Sequence, residues 1–400
     1  MRVSLAPTRL KTPPPSAGEA PLPSQPLLAE QGPRVILGGK LAASGLAEPI
    51  APAADTLFGP RGACLAGPWG PFFVCDTGHH RLLVWSTPPR EEQAPADLVI
   101  GQPDFASEGR NAKGALGAAT LNVPTGVAAA DGVLAIADAW NHRVLIWFGY
   151  PDWSNRPADV VLGQQDFAGG LANRGGDAPT ASTLNWCYGV AIEDGRLFVA
   201  DTGNRRVLMW EQIPTRHGAP ADLVLGQRDF TTRDENAGGG ASALGMRWPH
   251  GMAMIGRGIL VADAGNNRVM VWRTLPSSNG VACDFVIGQA GMEGLDHNQA
   301  AYYPTARSLN MPYGLAVMGE RLIVADTANS RLLGFDAPDL AMDEAATRLT
   351  GQHGFSDKGD NRWQAATRDS LCWPYNVASS GDTAVIADSG NNRVLLWEAA

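Results

Sequence analysis

The chain carries six aspartates that each stand five residues before an arginine. A carboxylate and a guanidinium at this spacing could act in acid–base chemistry or bind a charged substrate. Each aspartate also opens a turn, so its carboxylate can accept N–H groups of that turn and pair with its own arginine. An asymmetric site would use only some of six equivalent copies, so we interpret all six pairs as structural. The pairs are Asp76–Arg81, Asp138–Arg143, Asp201–Arg206, Asp263–Arg268, Asp326–Arg331 and Asp388–Arg393.

A functional site is expected where the copies differ. The most informative position is the middle residue of a P-x-G motif, or a variant of it, that precedes a short apolar run in each copy. Aromatic rings with polar tips near one cation suit a ligand with a flat apolar part and an anionic group. The middle residues are Arg61, Thr125, Tyr188, His250, Tyr313 and Tyr375, and two positions earlier stand Gly59, Val123, Trp186, Trp248, Met311 and Trp373.

Histidine and cysteine could ligate a metal, but their spacing does not favour it. The five cysteines are far apart and form no C-x-x-C pair. His79 and His80 are adjacent in a turn, where two residues seldom ligate one metal, and Cys187 with His250 would supply only two ligands. The sequence has no G-x-S-x-G, P-loop or H-E-x-x-H motif. We therefore predict no metal, no cofactor and no catalytic residue.

A sixfold repeat supplies the elements that must position these residues. Segments such as VADTGNRRVLMW, which starts at Val199, recur every 62 or 63 residues. Each copy has four apolar runs rich in Val and Leu and bounded by Gly, Asp and Asn, which is typical of short strands. Four antiparallel strands, here called A to D from the channel outwards, make one blade. The sequence thus predicts an all-β, six-bladed β-propeller.

The two ends of the chain indicate how the ring closes. A fourth-strand motif such as VLGQ at Val224 follows the first five copies, and in the fifth it has the weaker form RLTGQ at Arg348. The last copy stops at Trp397 without this motif. The missing strand stands at the other end, as VILGG from Val35. The N-terminal strand is therefore predicted to complete the last blade. Residues 1–33 are rich in proline and are predicted to be a disordered tail, with the propeller over residues 34–400.

These copies resemble NHL repeats, whose signature is a P-x-G-V-A strand followed by V-A-D-x-x-N-x-R-V. The longer repeat seen here, with VLGQ-x-D-F, looks like a class of bacterial NHL propellers. The resemblance implies the fold but little about activity, since the family includes RNA binders, protein-interaction modules, receptor sensor domains and a zinc-dependent amidating lyase. In that lyase, histidines at several P-H positions hold zinc. This sequence matches only at His250, so the resemblance does not carry the zinc site over.

In a six-bladed ring the P-x-G residues should surround one mouth of the channel, with Arg61 opposite His250. The long D-to-A connections should reach this same face, while C-to-D loops such as residues 211–220 lie on the other. The leading hypothesis is a non-enzymatic binding or scaffold propeller that recognises a protein partner or a small anionic or aromatic ligand at this mouth. Three alternatives stay open: aromatics that only plug the channel, a hydrolase or lyase site using His250, Arg61 and a tyrosine, and a sensor for a small anion.

The charge and hydropathy of the sequence limit the kinds of partner that the protein can have. The formal net charge is −9, and the four lysines form no basic run. Nucleic acid binding needs clustered cations, so the sequence predicts no nucleic acid partner. No stretch approaches the roughly 20 apolar residues that cross a membrane, and the N-terminus lacks the apolar core of a signal peptide. We therefore expect a cytoplasmic protein with no membrane partner.

Overall fold

The computed structural model describes residues 24–39 and 50–400. Within these ranges, six sheets surround a central channel, and each has four antiparallel strands that run outwards in the order A to D. The all-β six-bladed propeller predicted from the repeat is confirmed. No helix in the same ranges is long and apolar enough to cross a membrane.

The strands recur at equivalent places in all six blades. The A strands are β3 Gly62–Leu65, β7 Pro124–Ala130, β11 Gly189–Glu193, β15 Pro249–Ile255, β19 Pro312–Met318 and β23 Pro374–Ser380. The B strands are β4 Phe72–Asp76, β8 Val133–Asp138, β12 Arg196–Asp201, β16 Gly258–Asp263, β20 Arg321–Asp326 and β24 Thr383–Asp388. The C strands are β5 Arg81–Trp85, β9 Arg143–Phe148, β13 Arg206–Trp210, β17 Arg268–Trp272, β21 Arg331–Asp336 and β25 Arg393–Glu398. The D strands are β6 Leu98–Ile100, β10 Val160–Leu162, β14 Leu223–Leu225, β18 Phe285–Ile287, β22 Arg348–Thr350 and, from the N-terminal end, β2 Val35–Gly38; a further short strand is β1 Gln25–Pro26.

Short 3-10 turns mark two kinds of connection. Between strands B and C they are Thr77–His79, Ala139–Asn141, Thr202–Asn204, Ala264–Asn266, Thr327–Asn329 and Ser389–Asn391. In the D-to-A connections they are Arg110–Lys113, Ala172–Gly175, Glu235–Gly238, His297–Ala300 and Asp360–Trp363, and one C-to-D loop has Ala337–Asp339.

The middle strands are continuous apolar runs because both faces of a blade are buried. In β13, Val207 and Met209 pack into the core shared with the fourth blade. Their neighbours Leu208 and Trp210 point the other way, into the core shared with the second blade. Side chains alternate along a strand, so one run of four apolar residues joins two interfaces between blades.

The ring closes through the N-terminal strand, as the sequence predicts. Strand β2 pairs antiparallel with β25, with Val35 opposite Leu396 and Leu37 opposite Val394. Val35 and Leu37 are fully buried, so the last blade acquires its fourth strand from the start of the chain. This arrangement covers what would be an open strand edge.

Residues 24–33, which the sequence analysis assigns to the tail, are part of the propeller in the structure. Strand β1 pairs in parallel with β22 on the outside of the fifth blade. Leu27 and Leu28 are buried, and a Cβ added at Gly334 would lie 2.7 Å from Leu27, so this glycine makes room for that side chain. The rest of the predicted tail, residues 1–23, lies outside the described residues.

The tryptophan that ends strand C shows how this segment fits the repeat. In the first four blades its indole N–H donates to a carbonyl nine residues later, as from Trp85 to Ala94 at 3.0 Å. The last copy has no C-to-D loop, and Trp397 donates instead to Ala29 at 2.8 Å. The N-terminal segment therefore also replaces the missing loop of the last blade.

The Asp–Arg pairs are buried and structural, in agreement with the interpretation from the sequence, and we call them staples because they hold turns and connections together. In the third blade, Asp201 accepts the Asn185 main-chain N–H on Oδ1 and the Arg206 Nε–H on Oδ2, both at 2.7 Å. Arg206 then donates to Phe230 O in the connection that follows and to Thr183 O in the one that precedes. In the first five blades each pair thus ties two D-to-A connections to one B–C turn, and in the last blade Arg393 reaches Ser370 O in the preceding connection.

A second link joins the same turn to the connection before it. In five blades an asparagine of the turn bonds the aspartate and an asparagine of that connection, as Asn204 does with Asp201 and Asn173. The first blade has His79 instead, which bonds Asp76 Oδ2 through Nδ1 at 2.8 Å and Ile50 O through Nε2 at 2.9 Å. Both partners are acceptors, so this geometry requires both ring nitrogens to carry protons.

The charge on His79 predicts a pH-dependent stability. Burial alone would lower the pKa of His79, and Arg81 opposes protonation too, but Asp76 and the Ile50 carbonyl outweigh both and raise it. A raised folded-state pKa stabilises the fold below the unfolded pKa of about 6.5, and the contribution is lost as pH rises through the folded value. Between pH 6 and pH 8.5, urea denaturation should show the wild type losing stability relative to His79→Asn. Parallel pH profiles of the two proteins would contradict the charged state.

Candidate functional site

The middle residue of each P-x-G motif stands at the start of strand A, on the face where the D-to-A connections and the B–C turns end. Five of the six meet in one ring of side chains at the mouth of the channel. Ring centroids are 4.6 Å apart for Tyr188 and His250, 4.3 Å for His250 and Tyr313, and 4.7 Å for Tyr313 and Tyr375. The structure thus brings together five of the six residues that the sequence analysis places around one mouth of the channel.

Arg61 completes the ring by crossing the mouth. Its guanidinium carbon lies 4.7 Å from the centre of the Tyr375 ring, and its Nη1–H donates to the Tyr188 hydroxyl. The arginine therefore contacts the tyrosines on both sides and closes the ring from Tyr188 to Tyr375. Among the described residues, the Tyr188 hydroxyl is the one hydrogen-bond acceptor of the Arg61 guanidinium, which has five N–H donors.

Two of the predicted site residues, Thr125 and Trp373, do not line the mouth of the channel. Thr125 is buried, and its hydroxyl donates to the Tyr188 carbonyl at 2.8 Å, so it serves the contact between the second and third blades. Trp373 stacks on Tyr375 with centroids 6.4 Å apart but does not line the mouth. Neither presents a polar group to a ligand there.

The ring is the floor of a cavity of about 680 Å³, here called the mouth cavity. Arg61, Tyr188, His250, Tyr313 and Tyr375 line it from below, and the same five side chains also line the channel beneath. Exposed tryptophans form its wall: Trp140 from the turn of the second blade, Trp186 and Trp248. The ring thus separates the mouth from the channel, as the plug alternative expects, and at the same time forms the floor of an open cavity.

A second cavity of about 480 Å³, here called the outer groove, continues from the mouth cavity. The two share Trp140, Trp186 and Trp248 as walls. The groove adds His142 and Arg205, which occupy the same position in the B–C turns of the second and third blades. Together the cavities form one depression with aromatic walls.

Charge in this depression has one sign. Within the described ranges, the charged side chains that line the two cavities are Arg61, Arg110 and Arg205, and no carboxylate is among them. The tyrosines do not offset this, because burial raises the pKa of Tyr188 and of Tyr313, although Arg61 opposes the shift at both. An anion would therefore meet cations and neutral aromatic groups.

The three histidines of the depression are neutral, for reasons of geometry. His80 Nδ1 accepts the Val123 N–H at 3.1 Å, and His142 Nδ1 accepts the Trp186 N–H at 2.8 Å. Burial lowers the pKa of both. His250 donates from Nδ1 to the Trp248 carbonyl at 2.9 Å, and burial lowers its pKa to about 4, so at neutral pH its Nε2 is unprotonated.

Sequence reasoning missed the contribution of the B–C turns. It expected the long inserts of the D-to-A connections to wall the mouth, but Arg110 is the one residue of these inserts that lines the mouth cavity. Val123, Trp186 and Trp248 also line it, but they stand at the ends of the connections, directly ahead of strand A. The turns instead supply His80, Trp140 and, in the groove, Arg205. The signal was present in the sequence: the residue before each repeat arginine varies as His, His, Arg, Asn, Ser and Asn.

The described residues contain no cluster of three or more His, Cys, Asp or Glu that could hold a metal ion. Cys187, weighed beside His250 as a soft-metal ligand, is buried and its thiol lies 3.3 Å from the Arg143 carbonyl. Burial raises the pKa of this thiol far above its usual value, so it is not a thiolate.

Comparison with known proteins agrees with the fold. The NHL repeat family model matches residues 121–147, which run from the start of strand A to strand C of the second blade. No curated protein sequence matches the chain.

Similar solved structures are distant in sequence. Hydrazine synthase of Kuenenia stuttgartiensis is 13% identical over 86% of this chain and 96% of its own, with a TM-score of 0.50. A protein of unknown function from Bacteroides thetaiotaomicron VPI-5482 is 12% identical over 87% of this chain and 71% of its own, with a TM-score of 0.49. The WD40 propeller domain of Doa1 is 9% identical over 88% and 98%, with a TM-score of 0.44. At these identities the similarity concerns the fold alone.

Proposed function

We propose that this chain, an NHL-repeat β-propeller, binds a small ligand with a planar apolar body and an anionic group at the mouth of its channel. Propellers of this type serve binding and scaffold roles. The observation that carries the proposal is the mouth cavity itself, with aromatic walls and floor and arginine as its charged residue type. Its volume of about 680 Å³ lies within the range of small-molecule sites.

Arg61 is the residue we assign to the anionic group. It is held in place by the Tyr375 ring and the Tyr188 hydroxyl, so little side-chain entropy remains to be lost on binding. Its remaining N–H donors can hydrogen-bond a carboxylate in a planar, bidentate manner. The indoles of Trp186 and Trp248, each more than a third exposed, offer faces against which a planar body can stack.

The geometry favours binding over catalysis. The enzyme alternative would use His250 as a general base, since its Nε2 has a free lone pair. A pKa of about 4 makes that nitrogen a weak base at neutral pH, whereas an effective general base has a pKa near the working pH. As a neutral acceptor, His250 instead suits a hydrogen-bond donor of a ligand. A protein partner on the same face stays a prediction from the sequence.

Naphthalene-2-carboxylate is a suitable probe, with 2-naphthamide as its neutral analogue. We expect the carboxylate to quench tryptophan fluorescence saturably and to bind at least tenfold tighter than the amide, because a charge-assisted hydrogen bond contributes roughly 1.5–3 kcal/mol. In Arg61→Gln the carboxylate should lose that advantage.

Arg216→Ala is the matched control, because Arg216 is exposed in the C-to-D loop of the opposite face. It should bind as the wild type does. Equal affinity for carboxylate and amide, or equal loss in both variants, would refute the assignment of Arg61. Thermal melting of Arg61→Gln separates lost binding from lost folding.

A further inference from the structure

The B–C turns follow a rule that links neighbouring blades. In five of the six, the left-handed residue that ends the turn accepts a hydrogen bond from a main-chain N–H just ahead of the next A strand. The accepting and donating residues are His80 and Val123, His142 and Trp186, Asn267 and Met311, Ser330 and Trp373, and Asn392 and Gly59. The bond spans two blades, so it contributes to closure of the mouth face.

The third blade breaks this rule. Its left-handed turn residue is Arg205, with a φ of 59°, and a guanidinium cannot accept a hydrogen bond. The Trp248 N–H instead donates to Asp263 Oδ1 at 3.3 Å. The same oxygen also accepts the Arg247 N–H at 2.8 Å. Trp248 also lacks the positive φ of its five counterparts, for example Trp186 and Trp373. The junction between the third and fourth blades therefore lacks the hydrogen bond from the turn residue that the other five junctions have.

At this junction the turn residue instead places a cation in the outer groove. Arg205 lines the groove together with His142, Trp186 and Trp248. Its Nη1 donates to the Arg233 carbonyl at 3.1 Å and makes a long contact with the Gly203 carbonyl at 3.5 Å, while its Nε is buried without a partner among the described residues. His142 uses Nδ1 as an acceptor, so its Nε2 carries a proton and adds a second donor to the groove.

We propose that the outer groove is a second anion subsite centred on Arg205, so that the ligand of this propeller is an aromatic dianion. The inference rests on the proposed function, because Arg61 would take one anionic group and Arg205 the other. The two cavities share the walls of Trp140, Trp186 and Trp248, so one planar body can lie along both. The link between blades does not explain Arg205, since the five other residues at this position make that link and a guanidinium cannot.

Two pairs of probes test the subsite: naphthalene-2-carboxylate with naphthalene-2,6-dicarboxylate, and biphenyl-4-carboxylate with biphenyl-4,4′-dicarboxylate. The pairs differ in the distance between their anionic groups. In the wild type, at least one dianion should bind tenfold tighter or more than its own monoanion. In Arg205→Asn that gain should vanish while monoanion binding is unchanged.

Arg205→Asn is informative because asparagine is the residue at this position in two other blades. It should regain the bond to the Trp248 N–H, so its melting temperature should equal or exceed that of the wild type. Arg233→Asn is the matched control, an exposed arginine of the same face with the same change of charge. Its contact with Arg205 is through the main-chain carbonyl, which the substitution keeps, so this variant should keep the dianion gain.

The outcomes separate the two proposals. If monoanions bind but neither dianion gains, or if the gain persists in Arg205→Asn, the second subsite is refuted and the mouth site stands. If Arg233→Asn removes the gain as fully as Arg205→Asn, the effect is long-range charge and the subsite is refuted as well. If no monoanion binds, both proposals fail.

Discussion

Deletion of residues 1–39 should lower the free energy of unfolding by about 6 kcal/mol or more, the largest effect expected for this chain. The deletion removes four large buried aliphatic side chains, Leu27, Leu28, Val35 and Leu37. Each contributes roughly 1.5–3 kcal/mol by burial. It also opens the ring, because strand β25 loses its outer partner. Urea denaturation followed by fluorescence measures the loss, and a synthetic peptide of residues 24–39 added in trans should restore part of it.

A shorter deletion is the control. Removal of residues 1–33 keeps β2 and loses Leu27 and Leu28, so it should cost about half as much, roughly 3 kcal/mol. Equal stabilities for the two deletions, or no binding of the peptide by the longer one, would contradict closure by the N-terminal strand.

The second large effect is expected for Asp201→Ala. This aspartate is fully buried and accepts hydrogen bonds from Asn185, Asn204 and Arg206. Its removal leaves the buried guanidinium of Arg206 without its counter-charge, which costs about 3–5 kcal/mol. Because Arg206 anchors the connections on both sides of the third blade, hydrogen exchange should also accelerate around Thr183 and Phe230.

Asp177→Ala provides the comparison, since Asp177 is exposed in a D-to-A connection. Its stability should lie within about 0.5 kcal/mol of the wild type. If Asp201→Ala were as stable as this control, the repeated Asp–Arg pairs would not be the structural staples described above.

Most of the fold could be predicted because the local sequence pattern of each repeat indicates its own strands and turns. Short apolar runs alternate with turn residues, and six regular copies leave few architectures open. The packing of residues 24–33 could not be predicted in this way. It depends on Leu27 meeting Gly334, two residues more than 300 positions apart, and neither has a local signal for the contact.

The site was predictable to the extent that it follows the repeat. Tyr188, His250, Tyr313 and Tyr375 occupy one position in successive blades, so symmetry alone brings them together. Thr125 shares the position but is short enough to bond the neighbouring main chain instead. The groove was missed because it lies where symmetry fails, at Arg205, and a broken hydrogen bond between blades is visible only in three dimensions.

The central claim is that the mouth cavity binds an aromatic anion, and the most direct measurement is a crystal structure with naphthalene-2-carboxylate. The account predicts the ring system against Trp186 and Trp248, with the carboxylate hydrogen-bonded to Arg61. A probe bound on the opposite face, or seated at the mouth with its carboxylate turned away from Arg61, would contradict it.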